Sequence, residues 1–252
     1  MRKPIRALLS RFSQWLLGHH PYNTIFNFNW VNVYPLIRIL RELESTLSLQ
    51  GRFVDLGAGA SPYYDLIAKN ASSYIAVDYL SALPRKDARP IQRVSGTAEA
   101  TPFADESIDV VFCSQVLSQV QHPENAFCEI RRILRSRGYA IISVPHISPL
   151  HSEPYDLYRF TPDGLNALAC AAGLQPRSMH IQGQLFASFA LCLAMNLILS
   201  PISERRPMRV LPKRQLLFAP LIAFVNVGAY LLDKILPFNR TPINFVFVAV
   251  KP

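Results

Sequence analysis

The segment Phe53-Val54-Asp55-Leu56-Gly57-Ala58-Gly59-Ala60-Ser61-Pro62 decides how the rest of the chain is read. An apolar run holding one acid ends in Gly-x-Gly, and a proline follows where a helix can begin. Glycines in such a turn let backbone approach a ligand closely at the carboxyl end of a strand. Two acids narrow the ligand. Asp55 stands two residues before Gly57, where a phosphate is repelled and a cationic amino-acid moiety is welcome. The third glycine of a nicotinamide-binding turn is replaced by Pro62. Asp78 lies 21 residues beyond Gly57, at the end of the next predicted strand, placed to accept hydrogen bonds from a ribose diol. The pattern describes a site for a nucleoside that carries an amino-acid tail.

Outward from this turn the chain alternates between strand-like and helix-like stretches. Strands are predicted over Arg52–Leu56, Tyr74–Asp78, Ile91–Ser95, Ile108–Ser114, Tyr139–Val144, Arg177–Ile181 and Asn244–Val250. Helices are predicted over Pro62–Lys69 and over Pro123–Ser136, the second ended by Gly138. A further helix is capped by Thr161, with Pro162 in its first turn and Gly173 just past its end. This alternation implies right-handed βαβ units, and hence an α/β fold with a doubly wound, mostly parallel, seven-stranded sheet covered on both faces.

With these segments in place, the sequence resembles the class I S-adenosylmethionine-dependent methyltransferases, in their type-11 branch. The resemblance rests on the glycine turn, on Gly96-Thr97-Ala98-Glu99-Ala100-Thr101-Pro102-Phe103, on Asp105-Glu106-Ser107-Ile108-Asp109-Val110-Val111, and on the Pro123–Gly138 module. It covers about residues 52–145. It implies a Rossmann-like methyltransferase fold and S-adenosylmethionine as cofactor. It further implies that Asp55, Gly57 and Gly59 line the methionine moiety and that Asp78 binds the ribose hydroxyls. Thr97 and Ala98 then flank the adenine, and Ser114 and Gln115 border the methyl-transfer cleft. Thr97 stands where the family usually has an acid, Ser118-Gln119 where a Glu-His pair is common, and Tyr139 where the module has its second glycine.

The stretch after the fifth strand, Pro145 to Phe160, lies at the carboxyl end of the sheet, where substrates bind in such folds. It resembles methyltransferases carrying a His-x-x-Pro-x-Asp-x-x-Arg-Phe-Thr run, here His151 to Thr161. His151 and His146 are the candidate general bases, since imidazole titrates near neutrality. Asp156 and Arg159 read equally well as an ion pair that pins the loop. His19-His20 reads as a helix-end feature, and no metal site is expected.

Half of the residues are hydrophobic, only 17% are charged, mean hydropathy is +0.16 and the net charge is +9. The charge is concentrated: residues 1–20 carry +4, residues 201–215 another +4, and the remainder only +1. Both basic segments adjoin apolar ones, which favours an anionic membrane surface over nucleic acid. Near the N-terminus, Ile5, Leu8, Leu9, Phe12, Trp15 and Leu16 share one face of an amphipathic helix that Gly18 can end. Leu185–Ser200 and Leu216–Leu232 are apolar, the second holding Pro220, Asn226 and Gly228. At 16 residues the first spans about 24 Å, short of the ~30 Å hydrocarbon core. Two spans would also place the basic loop across the membrane from the catalytic domain, against the positive-inside rule. A hairpin lying in the interface satisfies both demands; an insertion that dimerises or covers the acceptor is the alternative. The four cysteines lie far apart without a C-x-x-C pair, which fits a reducing compartment.

The expected organisation is an N-terminal helical extension (1–50), a cofactor-binding core (51–184), an apolar helical hairpin (185–236) and a closing strand (237–252). The expected function is O-methylation of a lipid-linked glycan or other amphipathic acceptor by a cytoplasmic enzyme held peripherally on the inner membrane face. Two alternatives stand beside it: a soluble small-molecule methyltransferase whose hairpin makes a homodimer, and a non-catalytic membrane adaptor that retains the fold.

Overall fold

The computed structural model describes residues 11–47, 49–84, 88–152, 154–200 and 209–252. The chain divides into two compact units. The larger comprises Arg38–His146, Pro154–Ile181 and Asn244–Pro252; the smaller comprises Met1–Ile37, Ile147–Glu153 and Gln182–Ile243.

The larger unit is built on seven strands: β1 (Gly51–Leu56), β2 (Ala71–Asp78), β3 (Ile91–Ser95), β4 (Ile108–Ser114), β5 (Leu134–Pro145), β6 (Gln175–Gln182) and β7 (Asn244–Val250). Their order across the sheet is β3-β2-β1-β4-β5-β7-β6. The β1–β2, β2–β3, β1–β4 and β4–β5 pairs are parallel, and β7 runs antiparallel to β5, so the sheet is mostly parallel as expected. Central strands covered on both faces must be apolar throughout. Accordingly Phe53, Val54 and Leu56 of β1 and Val111 and Cys113 of β4 are fully buried. The chain turns from β1 to β2 on one side and later adds β4 on the other. That switch point leaves a crevice at the strands' carboxyl ends.

The helices of this unit are α2 (Tyr64–Ile67), α3 (Pro123–Ile133) and α4 (Pro162–Ala171), together with the later part of α1 (Trp30–Leu47). Thr161 caps α4 as expected, its side chain accepting from the Gly164 amide. Two expectations need correction. The helix predicted over Pro62–Lys69 shrinks to the single turn of α2, because Ser61 adopts φ 47° and its amide closes a turn onto the Ala58 carbonyl. Gly138 does not end α3. That helix stops at Ile133, and Leu134 is already extended. A Cβ on Gly138 would lie 2.9 Å from the Asp109 carbonyl oxygen, so this glycine serves the close approach of β5 to β4.

In the smaller unit residues 11–17 are helical, and Gly18 ends them at φ +70°. The amphipathic helix expected over residues 1–18 otherwise lies outside the described residues. A two-residue ribbon pairs Gly18–His19 with Tyr22–Asn23. Helices α5 (Leu185–Ile198) and α6 (Pro212–Ile235) pack together, their small residues Ala187, Ala190, Ala194, Ala219, Ala223 and Ala229 all buried. The loop expected to join them, over 201–208, lies outside the described residues. Asp233, near the end of α6, accepts hydrogen bonds from the Gln184, Phe186 and Ala187 amides and so satisfies the amino end of α5. Asn226, fully buried at mid-helix, donates to the Ile25 and Asn27 carbonyls. Replacing Asp233 with alanine should lower stability by about 1–2 kcal/mol, the usual cost of removing a cap. Urea unfolding checks this, and an unchanged midpoint contradicts it.

Candidate cofactor cleft

The glycine turn emerges from β1 and is folded back onto β2. Amides of Gly57 and Ala58 both donate to the Val77 carbonyl, at 2.8 and 3.1 Å. Gly57 has φ +67°, and a Cβ there would stand 2.1 Å from a methyl of Val116. Gly59 has φ +50° and faces open space, with nothing within 4 Å of where its Cβ would be. Asp78 closes the turn: one carboxylate oxygen accepts from the Gly59 amide at 2.8 Å, the other from the Tyr79 amide at 2.7 Å. Arg89 grips the far side, donating to the Ala60 and Ser61 carbonyls at 2.6 and 2.8 Å.

A cleft of about 710 Å³ opens beside this turn, within the size range of small-molecule and cofactor sites. Among the expected site residues, Gly57, Asp78, Thr97, Ala98, Ser114 and Gln115 line it together. Gly59 adjoins it through its bond to Asp78. Asp55 sits beneath the turn, only 3% exposed and outside the lining. Its carboxylate accepts the Tyr74 hydroxyl at 2.7 Å. Burial pushes the Asp55 carboxyl up to about 7, with the Asp78 charge adding to the rise and the bonds to Tyr74 and Ser61 opposing it. Burial and the Asp55 charge drive the Tyr74 phenol upward as well, which keeps it protonated as the donor.

Gln115 stands at φ 61°, a conformation that side chains other than glycine seldom adopt. Its amide donates to the Ser143 carbonyl at 2.8 Å and its side chain to the Ser143 hydroxyl at 2.9 Å, so β5 holds the cleft wall in place.

His146 follows β5 directly and does not line the cleft. Its Nδ1 is 2.8 Å from the Phe160 carbonyl oxygen. A carbonyl only accepts, so Nδ1 carries the hydrogen and the basic lone pair is left on Nε2. His151 belongs to the smaller unit, where its Nδ1 meets the Pro149 carbonyl oxygen at 2.8 Å. Asp156 and Arg159 form a two-pronged pair at 2.5 and 2.8 Å, which pins the loop. The same loop is tied to residues 118–121 by the Leu157 amide on the Ser118 carbonyl and the Tyr158 hydroxyl on the Gln121 carbonyl.

Several lining residues escaped the sequence reading: Tyr79, Glu99, Val116, Gln119 and Tyr155. The position of Tyr79, directly after the ribose-placed acid, was the available signal for an aromatic at the cleft. Tyr155 lies within the Pro145–Phe160 stretch, but only the loop's fold brings it to the wall. Glu99 lies two residues after Thr97 and accepts from the His122 amide at 3.1 Å. It supplies an acid to the cleft near the position where Thr97 departs from the family.

A strand–glycine turn–acid constellation at the switch point of a doubly wound sheet defines a nucleoside-binding α/β domain. Residues 54–142 match the methyltransferase-domain family, and this core is a class I S-adenosylmethionine-dependent methyltransferase domain. Over 106 residues the chain is 29% identical to an uncharacterized methyltransferase of Bacillus subtilis, covering 39% of this chain and 42% of that protein. Over 95 residues it is 30% identical to the demethylmenaquinone methyltransferase of Renibacterium salmoninarum, covering 36% and 40%. The matched part is therefore about two fifths of the length of these relatives. The crystal structure of the cyclase SpnF shares the fold at TM-score 0.56 and 18% identity, over 86% of this chain and 80% of that one.

S-adenosylmethionine is the cofactor of this domain class, and the residues present fit it. Among the described residues that line the cleft, the charged ones are Asp78 and Glu99, both acids. Such a wall suits a ligand bearing a sulfonium and an ammonium, and repels a pyrophosphate. The space before Gly59 and the carboxylate of Asp78 suit the amino-acid tail and the ribose diol respectively.

Proposed function

We propose that this protein is an S-adenosylmethionine-dependent methyltransferase that methylates an oxygen of an amphipathic acceptor, such as a lipid-linked glycan, while bound peripherally to a membrane. The observation that carries the chemistry is the cleft built on the glycine turn and Asp78, with Asp78 and Glu99 as acids in its described lining. The cofactor supplies a methyl group activated by a sulfonium. The chain's own residues bind, orient and move one proton. Gly57, Gly59 and Asp78 would hold the amino-acid and ribose ends, with Asp55 bracing the turn from beneath through Tyr74, while Thr97 and Ala98 would flank the base and Ser114 and Gln115 border the transfer site. Transfer of that methyl to an acceptor hydroxyl would break the donor's carbon–sulfur bond and release the hydroxyl proton, which a residue of this chain must accept. Nε2 of His146, its lone pair left available because Nδ1 meets the Phe160 carbonyl oxygen, is the candidate to take it. Support for an amphipathic acceptor comes from the apolar exposed faces of α5 and α6 and from a relative named for a quinone lipid precursor.

The test is calorimetric titration with S-adenosylmethionine, followed by incubation of the protein and methyl-labelled cofactor with a total lipid extract. Saturable binding is expected, with label entering an organic-soluble product heavier by one CH2 unit. Absence of binding up to millimolar cofactor overturns the chemistry. Label confined to water-soluble products overturns the acceptor.

A further inference from the structure

We infer that the outer face of α6 is a lipid-docking surface that seats the smaller unit in one leaflet of an anionic bilayer. This deepens the reading above, since it rests on a membrane-borne acceptor. Leu217, Leu221, Phe224, Leu231 and Ile235 recur at helical spacing along one side of α6, and Leu217, Phe224 and Ile235 are 72%, 79% and 72% exposed. The opposite side holds the buried Ala219, Ile222, Asn226 and Ala229. An exposed helical face is ordinarily polar. Here no polar residue interrupts the exposed stripe between Arg214 and Lys234. On α5, the exposed Phe189 and Leu193 are likewise apolar.

Charge identifies the occupant. Exposed Lys213 and Arg214 stand at one end of the stripe and exposed Lys234 at the other. Asp233, the single acid of α6, is engaged by three amides of α5's amino end. A stripe bounded by cations at both ends matches anionic headgroups. Against an antiparallel second copy, the same ends would bring Arg214 toward Lys234, and like charges would oppose the pairing. Among the described residues α6 is the one helix long and apolar enough to cross a membrane. Three features favour lying in the interface instead. Mid-helix Asn226 is bonded to the backbone of residues 25–27, so one side of α6 is packed on polar chain. The 14 residues of α5 reach only about 21 Å, short of the ~30 Å core. The side of α6 behind the exposed stripe is buried within the smaller unit, so only the stripe is left to meet lipid, whereas a lone spanning helix is surrounded by it. The unit then sits on the inner membrane face, where anionic lipid concentrates.

The test is flotation of the whole protein with vesicles of phosphatidylcholine containing one quarter phosphatidylglycerol, and with phosphatidylcholine alone. Tight association with the anionic vesicles is expected, weakened at least tenfold without phosphatidylglycerol. Phe224→Glu and the double variant Lys213→Glu, Arg214→Glu should each weaken it at least tenfold, with circular dichroism and S-adenosylmethionine affinity unchanged. Failure of the wild-type protein to float, or full flotation of Phe224→Glu, overturns the inference. So does a vesicle-free dimer in analytical ultracentrifugation that Phe224→Glu dissociates, because the face then belongs to a second copy. Intact cofactor binding without flotation defeats the docking surface alone; flotation without cofactor binding defeats the methyltransferase chemistry alone.

Discussion

Asp78→Ala should weaken S-adenosylmethionine binding by about two orders of magnitude. In the folded protein this carboxylate holds the Gly59 amide at 2.8 Å and the Tyr79 amide at 2.7 Å, so it shapes the glycine turn as well as facing the cleft. A hydrogen bond to a charged group contributes about 1.5–3 kcal/mol, and each 1.4 kcal/mol is roughly tenfold in affinity. Alanine removes the ribose acceptor and releases the turn together, so the losses compound. Asp78→Asn retains one acceptor oxygen and should fall between alanine and wild type. Titration calorimetry gives the dissociation constants, and thermal unfolding separates a lost contact from a lost fold. An unchanged constant in Asp78→Ala would exclude the assigned ribose site.

Asp55→Asn should make the protein more stable than wild type at pH 8 and remove a pH dependence expected of wild type. The carboxyl is raised from 3.8 to about 7, chiefly by burial, so the folded chain keeps a proton that the unfolded chain releases. For such a group stability is fully present below about 4 and is lost as pH rises through about 7. Asparagine retains an oxygen for the Tyr74 hydroxyl and does not titrate. The stability of the variant relative to wild type should therefore rise between pH 4 and pH 8, by at most about 4 kcal/mol. Taking the difference cancels carboxylates that respond in the opposite sense, such as Glu129, which its bonds to Arg132 and Thr101 hold below the usual range. Urea unfolding of both proteins across this range decides the matter; a difference independent of pH would mean that Asp55 is ionised throughout.

Strand positions were legible because each depends on a short apolar run of the right length. Ile91–Ser95, Ile108–Ser114 and Asn244–Val250 lie where periodicity and side-chain type put them. The Thr161 cap and the Gly57 turn were equally legible, since one residue's conformational preference settles each. Gly138 misled because a glycine after an apolar helix has two uses. Whether it ends the helix or admits a neighbouring strand depends on Asp109, which is 29 residues away. The length of α2 misled for a similar reason: Ser61 takes a left-handed conformation inside a turn, where Pro62 invites a helix start.

What the sequence by itself determined was the doubly wound class, the glycine turn and the acid at the end of β2, all products of near-neighbour preferences and hydrophobic spacing. What only the tertiary structure decided was which groups those features meet. Asp55 was readable as an acid beside the cofactor, but folding places Tyr74 against it and closes it from solvent. Arg89 reaches the glycine turn, Tyr155 the cleft wall and Asp233 the amino end of α5 from 28 or more residues away in sequence. The α6 helix could be read as apolar in composition, yet only its packing on α5 and on residues 25–27 decides which apolar residues are spent inside and which remain outside. Local patterns follow from the chain's own dihedrals and spacing; contacts between distant segments exist only after the backbone has been brought together.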